Sequence, residues 1–323
     1  MSKSTLYVRH AGFGDMLKQI NIFFHLSDAW SFTPQVVIPA TDARNTLNSR
    51  TFFDEIGFSE IVDAAPAVPM GKSSSLSKMS SDLLPTYQFD AVCYNNPELE
   101  QIVGGRDRET HPKLRALATR SKLYGEIAKR KKDQTQIVLH VRRGDVAQIN
   151  ADDFPGVFDR AAVAGRILHS IGLFDKARLQ TELPFSYRRR FVDTATYLDT
   201  LNQIKTREKI DGHILVSDGF TRPASFLIAT HPELFLDKSL SADALATVLE
   251  QELQPLMEGA SKTIIGETNP LFYETIFTSL AAKIIISQSA GFLEELSKLF
   301  ELDIQFICPE PQPIGQSASV TPA

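Results

Sequence analysis

The sequence is short of the features that usually place a chain quickly. Its 323 residues contain two cysteines, Cys93 and Cys308, too few for a disulfide framework or a four-cysteine zinc site. Both read as small core residues. No apolar run reaches the roughly 18 residues that a membrane-spanning helix needs. The opening Met1-Ser2-Lys3-Ser4-Thr5-Leu6 lacks the apolar core of a signal peptide. The expectation is a soluble protein of a reducing, cytoplasmic compartment. Cationic excess is missing too: 34 Lys and Arg stand against 39 Asp and Glu, a net charge of −5. A dedicated nucleic-acid binder shows a basic balance, so that class is disfavoured and any bound anion must meet a local cluster.

What is present is ordinary for a globular chain. Hydrophobic residues are 43% and charged residues 23%, which excludes wholesale disorder. The length predicts about two domains. Ser4–Arg9 alternates as a strand does and runs into Gly12-Phe13-Gly14-Asp15. Helical periodicity follows, with Phe13, Met16, Leu17, Ile20, Phe23 and Phe24 on one face. Gln35–Ala40, Glu60–Asp63 and Phe89–Tyr94 are further strand candidates, and Thr41-Asp42 is a candidate helix cap. Pro66–Asp82 is rich in Ser and Pro and reads as a surface loop. Helix-compatible sequence from Pro112 to Lys132 ends in a basic run, which places a domain boundary near 132.

The second half repeats the alternation. Strands are expected at Gln136–Val141, Gly212–Ser217, Leu234–Leu236, Lys262–Gly266, Lys283–Ser287 and Asp303–Ile307. Helices are expected at Gly156–Phe174, Val192–Thr206, Ala242–Met257, Pro270–Ala281 and Gly291–Leu299. Strands separated by helices predict parallel sheets and an α/β class, with ligand at the carboxyl ends of the strands. The division is 1–132, 133–308 and an extended tail over 309–323.

The chemistry concentrates in His140-Val141-Arg142-Arg143-Gly144-Asp145, at the end of the strongest strand signal. Arginine presents a rigid fork that matches phosphate oxygens, and Gly144 lets the backbone approach a diphosphate. An exposed strand end with a surface salt bridge explains the same residues about equally well. His140 reads either as a ligand contact or as a buried strand-end histidine. Arg188-Arg189-Arg190, beside Phe185, Tyr187 and Phe191, offers a peripheral contact with an anionic glycolipid or membrane surface, or a solvated loop.

His-x-Arg-Arg-Gly-Asp after a hydrophobic strand resembles the donor-binding motif of the fucosyltransferases that form α-1,2 and α-1,6 linkages. That superfamily includes the rhizobial nodulation enzymes and the protein O-fucosyltransferases. Three further segments are similar to it, in the same order along the chain. Gly12-Phe13-Gly14-Asp15-Met16-Leu17 resembles the glycine loop of the nodulation enzymes. Ile214-Leu215-Val216-Ser217-Asp218 resembles an apolar strand ending in Ser-Asp, and Ile284–Phe292 the late strand ending in serines. Gly219 and Ala290-Gly291 depart from the family's usual residues, and Asp15-Met16 replaces the Asn-Gln of the α-1,2 enzymes.

The resemblance implies a GT-B architecture of two facing Rossmann-like domains, with the nucleotide sugar held by the second. It implies inverting transfer of fucose from GDP-fucose to a glycan hydroxyl, without metal or other cofactor. No Asp-x-Asp occurs in the chain, in keeping with a metal-free leaving group met by cations and N–H donors. By the same match Arg142 meets the donor diphosphate, and Arg143 is a second cation there or an acceptor contact. His140 reaches the sugar or phosphate side, with Gly14 and Ser217 in the donor-binding segments. Asp218 takes guanine or ribose, or else caps a helix; Ser289 contacts phosphate, or likewise caps. The general base is one of Asp15, Asp145, Asp152 and Asp153. Two alternatives stay open: the same fold with another nucleotide sugar, and a non-catalytic nucleotide-sugar or glycan-binding protein.

Overall fold

The computed structural model describes residues 3–8, 12–39, 48–65, 86–87, 101–131, 136–143, 192, 194–230, 241–266, 268–288 and 290–309. They form a mixed α/β structure whose strand pairings are all parallel. The chain divides into two compact units. The first takes 1–134, 268–281 and 291–304, and the second takes 135–267, 282–290 and 305–323. Among the described residues no helix is long and apolar enough to cross a membrane.

In the first unit β1 (Lys3–Tyr7) lies between β2 (Thr33–Pro39) and β4 (Thr86–Tyr87), and β3 (Val62–Ala65) completes the order β3-β2-β1-β4. Lys3 pairs with Thr33 and Tyr7 with Val37. The alternation read from the sequence is the burial pattern of β1, where Ser4 and Leu6 point inward. Helix α1 (Phe13–Trp30) buries the whole predicted apolar face and also Gln19, His25 and Ser27. It stops at Ser31, whose left-handed backbone (φ 55°) lets its N–H bond back to Ser27 O.

Helix α2 (Ser49–Glu55) is capped by Asn48, whose side chain accepts from the N–H groups of Arg50 and Thr51. The expected cap Thr41-Asp42 lies outside the described residues. The single helical stretch expected from Pro112 is two helices, α3 (Pro112–Ala118) and α4 (Lys122–Lys131). The break has a side-chain cause. Thr119 Oγ1 bonds back to Arg115 O at 2.9 Å, and Ser121 Oγ accepts from Tyr124 N at 3.1 Å, restarting the chain as a new helix.

Two contact sets hold α1. On its polar face, Asn21 Nδ2 and His25 Nε2 both reach Glu109 O, while Asn21 Oδ1 accepts from the His111 N–H. His111 also accepts from Lys113 N through Nδ1 and meets Asp28 through Nε2, so the ring caps α3 and ties it to α1. At the amino end of α1, Phe13 stacks on Phe52 with ring centres 4.2 Å apart. Phe272 of α9 (Asn269–Ala281) and Phe292 of α10 (Gly291–Leu299) close the same cluster.

The second unit is built on the order β7-β6-β5-β8-β9. Its strands are β5 (Ile137–Val141), β6 (His213–Ser217), β7 (Ala260–Ile265), β8 (Ile284–Ile286) and β9 (Gln305–Ile307). Described helices of this unit are α5 (Thr194–Glu208), α6 (Thr221–Thr230), α7 (Ala242–Glu250) and the short α8 (Gln254–Met257). The chain moves outward from β5 through β6 to β7, then crosses to the other side of β5 for β8. That reversal is a topological switch point between β5 and β8, and its crevice lies outside their carboxyl ends. The expected Phe89–Tyr94 and Leu234–Leu236 strands, the Gly156–Phe174 helix and nearly all of the tail lie outside the described residues.

Gly14 sits where α1 meets α10. A Cβ there would stand 3.0 Å from Phe292 Cα and 3.2 Å from its N, whereas one at Gly12 would meet nothing within 4 Å. Gly14→Val is expected to cost about 1–3 kcal/mol by overpacking against backbone. Gly12→Ala should fall within about 0.5 kcal/mol of wild type. Chemical denaturation of both variants checks the contrast, and equal midpoints would refute the close packing.

Candidate functional site

Three strand ends meet at the switch point of the second unit. Strand β5 is buried at Ile137, Val138, Leu139 and Val141, because its neighbours on both sides and the helices above leave it no solvent face. His140 is half-buried near its end. Its Nδ1 lies 2.9 Å from the hydroxyl of Ser287, the buried residue just after β8. Burial lowers the His140 pKa to about 4, with the charge of Arg142 adding to the drop and Asp218 opposing it. At neutral pH the ring is therefore uncharged and offers one donor and one acceptor.

Arg142 and Arg143 follow on the same strand end but have different surroundings. Arg142 is half-buried and close enough for its charge to act on His140. Arg143 is 1% exposed. Its Nε and Nη2 donate to the two carboxylate oxygens of Glu252 at 3.1 and 2.9 Å, a paired fork-to-fork contact. Nη2 also donates to Val192 O at 3.1 Å and Nη1 to Arg142 O at 3.2 Å. Glu252 is held in turn by Thr194, whose Oγ1 touches its carboxylate and its carbonyl.

The peptide between Arg142 and Arg143 is thereby fixed at both ends. Its carbonyl accepts from the Arg143 guanidinium, and its N–H donates to Asp218 Oδ1 at 2.6 Å. Asp218 stands just beyond β6, so this bond ties the ends of β5 and β6 together. Ser217 is buried beside it; its Oγ accepts from Gly219 N, and its carbonyl accepts from Gly266 N beyond β7. Tyr197 of α5 lies under the Arg143 guanidinium and accepts from Gln288 N at 3.2 Å. Burial raises the Tyr197 phenol, which keeps it neutral.

The structure thus brings His140, Arg142, Arg143, Ser217 and Asp218 to one edge of one sheet. Asp15, half-buried in the first turn of α1, and Gly14 belong to the first unit. Gly144, Asp145, Asp152, Asp153, Arg188 to Arg190 and Ser289 lie outside the described residues. Glu252, Thr194 and Tyr197 are the partners that sequence reading missed. Arg143 and Glu252 are 109 positions apart, and no local spacing links them.

No family model and no curated protein matches the chain. Solved structures do. The crystal structure of POFUT1 in complex with GDP-fucose aligns with a TM-score of 0.43 at 10% identity, covering 96% of this chain and 99% of that one. POFUT1 in complex with GDP gives 0.41 at 10% identity over 96% and 99%. Its apo form gives 0.42 at 10% identity over 95% and 98%.

The buried pair yields one prediction. Glu252→Ala leaves a guanidinium buried without its carboxylate and is expected to cost about 3–5 kcal/mol. Replacing both partners, Arg143→Met with Glu252→Leu, should recover much of that loss, because neither charge is then buried alone. Equilibrium denaturation of the single and double variants measures it; a neutral single variant would contradict the pairing.

His140 yields another. Its folded pKa lies below the unfolded value, so the unfolded chain takes up the proton first as pH falls. Stability contributed by the neutral ring is present above pH 6.5 and is lost as pH drops toward 4. An NMR titration of the His140 ring should show a midpoint at about 4, and a midpoint near 6.5 would refute the desolvated setting of the ring.

Proposed function

We propose that the chain is a glycosyltransferase that uses a nucleoside-diphosphate sugar, with GDP-fucose the first donor to test. The observation that carries the reading is the junction of His140, Arg142 and Ser287 at the switch point between β5 and β8. The His-x-Arg-Arg-Gly-Asp pattern resembles a donor-binding motif, and its first residues stand where an open parallel sheet takes ligand.

In this reading the two arginines divide the work. Arg142 meets the diphosphate and stabilises the negative charge that collects on it as the sugar departs. Arg143 acts from inside, since its guanidinium is committed to Glu252 and the backbone. The neutral His140 ring serves as a hydrogen-bonding group to the donor, not as a second cation. Asp218 supports the strand end through the Arg143 N–H.

Transfer by direct displacement inverts the anomeric centre. It needs a carboxylate within hydrogen-bond reach of the acceptor hydroxyl. Asp15, Asp145, Asp152 and Asp153 remain the candidates for that base. A glycan or glycolipid is the proposed acceptor, with peripheral membrane contact through Arg188 to Arg190 and a cytoplasmic location. Leaving-group charge is assigned to side chains and N–H donors rather than to a metal ion.

Calorimetry with GDP tests the proposal. Wild type is expected to bind GDP, and Arg142→Ala to weaken binding roughly tenfold or more, as for a lost charge-assisted contact. Released GDP should appear when GDP-fucose and a glycan acceptor are supplied together. A folded wild-type chain that binds no GDP, or an Arg142→Ala variant that binds equally well, would sink the reading.

A further inference from the structure

Asp218 has the right chemistry for a nucleoside contact, but one of its oxygens is committed to the Arg143 N–H at 2.6 Å. A second carboxylate stands at the same edge of the sheet. Glu250 is the last residue of α7, and its Oε1 lies 3.5 Å from the point a Cβ on Gly219 would occupy. Gly219 follows Asp218 directly, and its backbone at φ +72° carries the chain sharply away from β6. Gly266 N, just beyond β7, lies 3.6 Å from the same point. The Glu250 carboxylate therefore sits over the carboxyl ends of β6 and β7.

Its carboxylate has no hydrogen-bond or ion-pair partner among the described residues. Glu250 is nonetheless half-buried. Burial alone pushes its carboxyl pKa up. The last turn of α7 has no basic residue, so the charge also faces the negative end of its own helix. A half-buried carboxylate in that position costs stability until donors reach it.

The sheet order says which donors those are. A nucleotide with its diphosphate at the end of β5 lays its nucleoside over the next strand, where dinucleotide-binding folds place an acidic residue. Here that strand is β6. We infer that Glu250 is the specificity-determining acceptor for the nucleoside of the bound nucleotide. Its two oxygens take a matched pair of donors, guanine N1–H and N2–H or the two ribose hydroxyls. This rests on the nucleotide-sugar reading above and assigns to Glu250 a contact for which the family resemblance made Asp218 one candidate.

The test compares full-length wild type and Glu250→Gln by calorimetry against GDP, inosine diphosphate and 2′-deoxy-GDP. Inosine lacks the N2 amino group and deoxyribose lacks the 2′-hydroxyl, so the two analogues separate base from ribose. Wild type should prefer GDP over one of them. Glu250→Gln should bind GDP roughly tenfold or more weakly and lose that preference. Its melting temperature should hold or rise, because a costly charge is removed. A Glu250→Gln variant that keeps wild-type affinity and preference overturns the inference, as does a wild type that binds GDP and discriminates against neither analogue. A wild type that binds no GDP overturns the underlying nucleotide-sugar reading and this inference with it.

Discussion

The second unit depends on one buried ion pair. Arg143 and Glu252 join a strand end to a segment 109 positions later, with the arginine 1% and the glutamate side chain 10% exposed. Burying two charges is expensive, and the pair is tolerable because nearly every lone pair and proton around it has a partner. Val192 O, Arg142 O, Thr194 and the Tyr197 ring surround it. Removing either charge exposes the whole desolvation cost of the other. An arrangement so costly and so completely satisfied fixes geometry, and what it fixes is the peptide that presents Arg142.

That constraint explains why two adjacent arginines behave differently. Both follow the end of β5, and the contacts to Glu252 and Val192 O bury the second while the first is half-buried. One arginine becomes the support and the other stays at the strand end. Asp218 completes the support from β6, and the His140 contact with Ser287 joins β5 to the far side of the switch point. The strand ends are cross-linked by side chains beyond the ladder itself. Under the proposed reading, a site held this way is set before a donor arrives, which is the condition for electrostatic stabilisation of a leaving group.

Much of this layout was legible in the sequence. The helix at Gly291–Leu299 and the apolar stretch ending at Val141 appear where periodicity placed them, because amphipathic and buried patterns are strong over such lengths. What could not be read was set by contacts between distant residues. The split of the Pro112 helix turns on two hydroxyls choosing backbone partners. The packing of 268–281 and 291–304 with the first unit leaves no mark in composition. Glu252, Thr194 and Glu250 belong to no motif, and their roles come from tertiary placement alone. Asp218 shows the limit well: its position suggests a ligand contact, while among the described residues its carboxylate accepts from a backbone N–H.

The central claim is that a nucleoside diphosphate binds at the carboxyl ends of β5, β6 and β8. Hydrogen exchange on the full chain, with and without GDP, tests it most directly. The account predicts slowed exchange at the amides of residues 140–143, 217–219 and 287–288 when GDP is added. Protection confined to other segments, or none at saturating GDP, would contradict it.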